Sequence, residues 1–385
     1  MRILRILTRL NLGGPARQVL ASDPRLIARG HEVRVLCGEP EPGEGDLQDE
    51  LSAAGVPVQR IPDLGRRVHP WRDLRCRRTI RLVMADWRPD VVHTHASKAG
   101  LHGRLAAASL GIPAVHTFHG HVLDGHFGPW KRALVAGTER RLARQTAQLI
   151  AVSRATAREL DAAGVAPESA FEVIYAGGQW AALEAVPRHG GRLRRELGLG
   201  PEALLIGVLA RLAPIKRPAR ALEAFFLAAP HLPEAHLVFV GDGPERSRLE
   251  QELGRTHEEW ARRVHLAGHW GKMGDVLPDL DLLLSASHHE GLPMAFLEGA
   301  AAGVPAVATP VGGTDEFVRH GETGWLARDP AGLAQGLIEL GRDGAHRGRL
   351  AEQARERLHR QHDAEAFVDR LEAVYARVTA GRSGR

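Results

Sequence analysis

Short apolar runs alternate with longer amphipathic runs along this chain, and the alternation is played through twice. Strand and helix signals that alternate in this way specify a parallel sheet covered by helices on both faces. The first round reads as strands at 2–7, 31–37, 57–61, 90–95, 114–118, 149–153 and 171–175. Its opening helix runs from the Gly13-Gly14-Pro15 turn to Ala28 and is closed by Gly30, and Asp23-Pro24 inside it predicts a kink. A Gly-, Pro- and Arg-rich stretch at 187–201 separates the rounds. The second round reads as strands at 204–209, 236–240, 264–267, 280–285, 306–309 and 324–327. Its helices are expected at 218–229, 246–262 and 294–302, with a charged helical tail at 331–377. The fold class is therefore α/β, with two doubly wound domains, 1–178 and 179–360. A last helix in 361–385 is expected to pack back on the first domain. Ligands of open α/β sheets sit beyond the carboxyl ends of the strands, so the expected site is the cleft between the two domains.

Composition narrows the functional classes. A chain of 385 residues with 44% hydrophobic and 25% charged residues is globular rather than disordered. Lys and Arg number 51 against 46 Asp and Glu, a net +5. The arginines are scattered among acids, which fits solvated faces better than a nucleic-acid footprint. Two cysteines, Cys37 and Cys76, support neither a disulfide framework nor a zinc site and fit a reducing compartment. Arg2, Arg5 and Arg9 interrupt the N-terminal apolar residues, unlike a signal peptide, and no run approaches the ~20 apolar residues of a spanning helix. A cytoplasmic protein is the expectation. Gly241-Asp242-Gly243 is followed by Arg246 where a dinucleotide fingerprint needs its third glycine, and there is no G-x-x-x-x-G-K-[ST]. A nicotinamide enzyme and a P-loop NTPase are both disfavoured.

The most informative stretch is 287–313, SHHEGLPMAFLEGAAAGVPAVATPVGG. A strand ends just before it, a loop carries Glu290, Gly291, Leu292 and Pro293, and a helix opens near Met294 and includes Glu298. Amides at a helix N-terminus form a ready anion site, and Pro293 costs nothing near a first turn. A carboxylate accepts from two vicinal hydroxyls, so Glu290 and Glu298 flanking a phosphate cradle suit a ligand with sugar on both sides of a phosphate. Either glutamate alone is explained as an ordinary helix-start or helix-surface residue. A second cluster, GVLARLAPIK at 207–216, places Arg211 and Lys216 in a strand-to-helix loop, where two cations suit a departing diphosphate.

With these segments in place the chain resembles the GT-B glycosyltransferases, specifically the large retaining family 4, over nearly its full length. The resemblance rests on NLGGPARQVL, RGHEVRVL, HTHASKAGLHGRLAA, HTFHGH, AVSRAT, the Arg211/Lys216 loop, VFVGDGPER, VHLAGHW, the E-x7-E motif from Glu290 to Glu298, and ATPVGGTDEFVRHGETGWL. It implies two Rossmann-like domains and a nucleotide-diphosphate sugar, most simply a UDP-sugar, bound to the C-terminal one. Glu298 would hold the ribose; Glu290 and the segment Gly291, Leu292, Pro293 and Met294, through its free amides, would meet donor sugar and phosphates. Arg211 and Lys216 would neutralise the leaving diphosphate, His119 would reach the donor sugar, and Gly14 would leave room for phosphate or acceptor. The catalytic set implied is His119, Arg211, Lys216 and Glu290. No metal and no cofactor are expected. The acceptor implied is a glycan or lipid-linked molecule of cell-envelope or exopolysaccharide synthesis. A nucleotide-sugar 2-epimerase of similar fold and a non-catalytic nucleotide-sugar-binding subunit are the alternatives.

Four features stand apart from that resemblance. Ala176-Gly177-Gly178-Gln179 stands where many relatives read N-G-[VI]-D. Asp279-Leu280-Asp281 resembles a metal-binding D-x-D but lies against a strand, so it reads as structural. His93, His95, His116 and His121 crowd His119; a metal site built from them lacks an accompanying carboxylate. Finally, nine arginines from Arg60 to Arg88 face three aspartates, a local excess of six. Leu74, Ile80, Leu82, Val83, Met84 and Trp87 supply an apolar side, with Trp71 before it. Such a helix reads either as a solvated face or as a surface for anionic lipid, which would hold the protein peripherally on the inner face of the membrane.

Overall fold

The computed structural model describes residues 1–11, 13–40, 45–65, 69–120 and 128–381. Arg66, Arg67 and His121 lie outside the described residues. The chain divides into two compact units, Met1–Gly178 with His362–Arg385, and Gln179–Gln361.

The first unit holds seven strands: β1 Arg2–Arg9, β2 Glu32–Gly38, β3 Val58–Arg60, β4 Val91–His95, β5 Ala114–Phe118, β6 Gln148–Ala151 and β7 Phe171–Val173. They lie in the order β3-β2-β1-β4-β5-β6-β7, every neighbouring pair parallel. The order reverses between β1 and β4, which opens a crevice at their carboxyl ends. The helix Gly14–Ala28 continues through Pro24, so Asp23-Pro24 does not end it; Asp23 is turned inward to pair with Arg5. The last helix, Ala364–Ala380, is capped by the Asp363 carboxylate, which accepts from the Ala366 amide. Its Phe367, Val368, Leu371, Val374 and Tyr375 share a core with Ile3 of β1 and Val91 of β4. Within 176–179, the glycine that this chain shares with the N-G-[VI]-D pattern has a local reason. A side chain at Gly177 would collide with the backbone of Asp363 and Ala364, and the Ala176 carbonyl lies 2.8 Å from His362 Nδ1.

The helix Pro70–Trp87 divides its apolar residues differently from the sequence reading. Cys76, Ile80 and Met84 join the core, with Val83 and Trp87 packed at its edge, while Trp71, Leu74 and Leu82 are exposed. The core claims one stripe of the helix, and the exposed apolar residues are those that periodicity left over. Arg60 is not part of the exposed face; it is half-buried against Gln48, Asp46 and the Gly38 carbonyl.

The second unit holds six strands: β8 Leu204–Leu209, β9 Ala235–Val240, β10 Val264–Gly268, β11 Leu282–Ser285, β12 Ala306–Ala308 and β13 Gly324–Leu326. Their order is β10-β9-β8-β11-β12-β13, all parallel. Alternate residues feed two cores. Ile206, Val208, Leu237, Phe239, Leu282 and Leu284 meet the helices Pro218–Ala228 and Pro330–Arg342. Leu205, Val238, Val240 and Leu283 meet the helix Met294–Ala301. This is the period of two expected of strands buried on both faces. The helix expected at 246–262 is broken: it ends at Gly254, and a separate turn, Glu258–Ala261, starts after His257, whose ring accepts from the Glu259 amide. The tail is three helices, Pro330–Arg342, Gly344–Gln361 and Ala364–Ala380. Asp279 and Asp281 are structural. Asp279 accepts from the Gly191 and Arg194 amides, and Asp281 accepts from Arg194 Nη2 at 2.6 Å and from the Leu205 amide at 2.8 Å. Among the described residues no helix is long and apolar enough to cross a membrane.

Candidate active site

In the second unit the order of strands reverses between β8 and β11, and the two loops that leave these strands carry the predicted residues. After β8 the chain passes Arg211, makes the short turn Pro214–Lys216 and enters the helix Pro218–Ala228 through Arg217 at φ +47°. Gly241 and Gly243 hold this loop in place. Both have positive φ, and a side chain at either would overlap the carbonyl oxygen of Ala210 or Leu212. The Leu212 amide donates to the Asp242 carbonyl at 3.0 Å. Only glycine allows that close approach.

After β11 the chain runs through Ser287 and Glu290 to the helix Met294–Ala301. The His288 amide donates to the Ile215 carbonyl at 2.8 Å, which ties the two loops together. On the other side, Gly313 donates to the Glu290 carbonyl at 3.0 Å, and Gly312, at φ +55°, leaves no room for a Cβ beside that carbonyl. Glu290 is therefore fixed from both sides. Its carboxylate accepts from Lys216 Nζ at 2.6 and 2.7 Å and from Ser287 Oγ at 2.7 Å. Sequence reasoning missed Ser287; its signal was its place three residues before Glu290 in a segment already singled out.

The remaining predicted residues are distributed as follows. Gly291 and Leu292 lie in the loop, Pro293 immediately precedes the helix, and Met294 is its first residue. Amides of a first helical turn have no carbonyl before them within the helix, so they face outward as donors. Glu298 lies in the second turn and is only 7% exposed. Arg211 is exposed, and its side chain makes no hydrogen bond or ion pair among the described residues. The loops thus bring Lys216, Ser287 and Glu290 into direct contact, beside a helix start and within a segment that carries a second cation and a second carboxylate. Such a set has the chemistry to bind an anion and hydroxyl groups together.

In the first unit the corresponding reversal lies between β1 and β4. Gly14 opens the helix that follows β1. Ala96, directly after β4, has φ +63° and ψ 162°, a region that residues with a Cβ rarely occupy. Strain of that kind collects at functional loops. His119 follows β5, and its Nε2 lies 2.9 Å from His95 Nδ1. Burial, then Arg5, pushes the His119 pKa down to about 3, so the ring is neutral at pH 7. His93 and His95 are likewise held well below the ordinary value by burial. His116 does not join this group; its Nδ1 meets Thr94 Oγ1 at 2.7 Å on the opposite face of the sheet. Among the described residues no three His, Cys, Asp or Glu side chains gather as metal ligands would.

Two family descriptions match the chain: a glycosyl transferase 4-like domain over residues 13–177, and glycosyl transferases group 1 over residues 203–343. The D-inositol 3-phosphate glycosyltransferase of Actinosynnema mirum is 32% identical over 342 residues, covering 82% of this chain and 80% of its own. The chain belongs to the family 4 GT-B glycosyltransferases. This family 4 glycosyltransferase also shares 31% identity with N-acetyl-alpha-D-glucosaminyl L-malate synthase of Bacillus anthracis over 186 residues, so it spans about half of that relative (48% of each chain). The crystal structure of Anabaena Alr3699/HepE in complex with UDP-glucose has the same fold, with a TM-score of 0.81 at 21% identity over 98% of this chain and 99% of that one.

Proposed function

We propose that this glycosyltransferase takes a sugar from a nucleoside diphosphate sugar, a UDP-sugar in the first instance, and retains its anomeric configuration. The observation that carries the reading is the Lys216–Glu290 pair, locked by its loops beside the start of the helix Met294–Ala301 and followed by the buried Glu298. Glu298 is assigned to the ribose, and Glu290 with the loop amides to the donor sugar and phosphates. Arg211 and Lys216 are assigned to the charge that grows on the departing diphosphate, which fixed cations stabilise without a metal. Gly14 is assigned to the phosphate or the acceptor, and His119 to the donor sugar. The solved relative that binds UDP-glucose supports the choice of base.

The acceptor proposed is a glycan or lipid-linked molecule of the cell envelope. A second reading, a small anionic acceptor, is favoured by one observation: two relatives at 31% and 32% identity are named for L-malate and for D-inositol 3-phosphate. Release of UDP from UDP-glucose, UDP-galactose and UDP-N-acetylglucosamine, with each acceptor class supplied in turn, tests the reading. Acceptor-dependent UDP release with an α-linked product supports it. Sugar epimerised at C2 without an acceptor product would favour the epimerase, and no turnover of any donor would favour a binding subunit.

A further inference from the structure

Arg5 stands in the middle of β1 with apolar neighbours on either side, 1% exposed. Its Nε lies 3.0 Å from Asp23 Oδ1. Its Nη2 lies 2.9 Å from the same oxygen and 2.8 Å from Ser22 Oγ, and its Nη1 lies 2.5 Å from His93 Nδ1 and 3.3 Å from His95 Nε2. A guanidinium has five N–H donors and no acceptor, and these five contacts employ all five. Both imidazole nitrogens that face Arg5 therefore accept.

The protons of the neutral rings follow from this. His93 carries its proton on Nε2 and donates to Thr117 Oγ1 at 2.7 Å. His95 carries its proton on Nδ1 and donates to His119 Nε2 at 2.9 Å. With Nε2 accepting, a neutral His119 carries its own proton on Nδ1, which has no partner among the described residues. The chain of donors runs outward from a fixed charge and ends on that N–H.

We infer that Arg5 and His95 are positioning residues that fix His119 as an Nδ1–H hydrogen-bond donor, so that His119 meets an oxygen lone pair of its ligand and does not serve as a base. A sugar hydroxyl or another ligand oxygen fits that N–H; the identification of the ligand as a donor sugar rests on the reading proposed above, whereas the tautomer does not. The free imidazole ring favours the opposite tautomer, so the arrangement is a property imposed by the fold.

Long-range proton–nitrogen correlation spectra of the full chain with labelled histidines, at pH 7, test this. His119 and His95 are expected in the Nδ1–H form and His93 in the Nε2–H form. A His119 signal from the Nε2–H form, from an exchanging mixture or from the doubly protonated ring would overturn the inference, and this holds for the wild-type chain with no variant needed. His95→Leu is expected to release His119 to the Nε2–H form and to lower kcat at least tenfold. His95→Asn, whose amide still donates in the direction of His119, is expected to restore the tautomer and most of kcat. Equal turnover of the Leu and Asn variants would overturn the positioning role while leaving glycosyl transfer intact. Failure of the wild-type chain to turn over any nucleotide sugar would remove the proposed function while leaving the spectra to decide the tautomer.

Discussion

Lys216 Nζ lies 2.6 and 2.7 Å from the two carboxylate oxygens of Glu290, and the two residues belong to loops that leave neighbouring strands of one sheet. Each side chain neutralises the other, and each is the other's means of staying in one rotamer. In the proposed reading a diphosphate would compete for Lys216 and a sugar hydroxyl for Glu290, so the pair would be exchanged for ligand contacts rather than broken.

Lys216→Ala and Glu290→Gln are expected to lower kcat by about 10²–10³-fold, the usual loss when one transition-state charge partner is removed. Lys216→Arg is expected to recover part of it, because charge survives while the point geometry does not. Steady-state kinetics with the best donor check this; unchanged kcat in Lys216→Ala would remove the diphosphate role.

Arg194 links the Asp279 carbonyl, the Gly200 and Ala203 carbonyls and the Asp281 carboxylate in a nearly buried cluster. Arg194→Met leaves Asp281 without its nearest cation and is expected to cost about 3–5 kcal/mol by urea unfolding. Turnover is expected to be insensitive to chelators, since both aspartates are spent on structure. Loss of activity in chelator, restored by a divalent ion, would contradict that assignment.

Stability is expected to fall with acid because of the buried histidines. His93, His95, His116 and His119 have folded-state values below the ordinary 6.5, His119 at about 3, from burial first and then from Arg5 for His93 and His119, Arg104 for His116 and the neighbouring His93 for His95. Below pH 6.5 the unfolded chain takes up protons that the folded chain refuses. Their contribution is fully present above pH 6.5 and is lost as pH drops towards the folded values, at up to about 1.4 kcal/mol per pH unit for each ring. A Tm that is flat between pH 7 and 5 would contradict the neutral cluster.

Strands such as Leu204–Leu209 and Ala306–Ala308 were legible because they are short apolar runs buried on both faces, whereas Val58–Arg60 is short and partly exposed. The E-x7-E segment was legible because its chemistry is local: loop, helix start and both glutamates lie within nine residues. Two kinds of feature were not. The helix expected at 246–262 breaks at Gly254 although its charges continue, because a Gly and a capping His interrupt a pattern that periodicity alone carries through. The Arg5 cluster joins β1, β4 and the last helix, with Tyr375 Oη 2.6 Å from His93 Nδ1 across 282 residues of sequence. Nothing near Arg5 announces it except a charge inside an apolar strand, which was read as an interruption rather than as a partner.

The helix Pro70–Trp87 presents Trp71, 75% exposed, with Leu74, Leu82 and Arg72, Arg75, Arg77, Arg78 and Arg81. The helix Pro129–Ala143 presents Trp130, 68% exposed, and Leu134, and both helices pack against the helix Ser97–Ser109. Each precedes a strand of one parallel sheet, so both tryptophans lie towards the carboxyl ends of the strands. The chain is expected to sediment with anionic vesicles and to be released by salt, each arginine near the surface adding about 1 kcal/mol. Trp71→Ala with Trp130→Ala is expected to weaken binding at least fivefold; equal sedimentation with neutral vesicles would contradict a surface set by charge.

Thermal unfolding with and without ligand decides whether the second unit holds a nucleoside diphosphate sugar through the segment from Lys216 to Glu298. The wild-type chain and Glu298→Ala are unfolded with UDP, GDP, ADP, TDP, NAD and the matching nucleotide sugars. A ligand at 100 times its Kd stabilises by about 2.7 kcal/mol, a shift of several degrees. That shift is expected with UDP and a UDP-sugar, and is expected to be lost in Glu298→Ala. A shift with NAD alone, or a UDP shift that survives in Glu298→Ala, would contradict it.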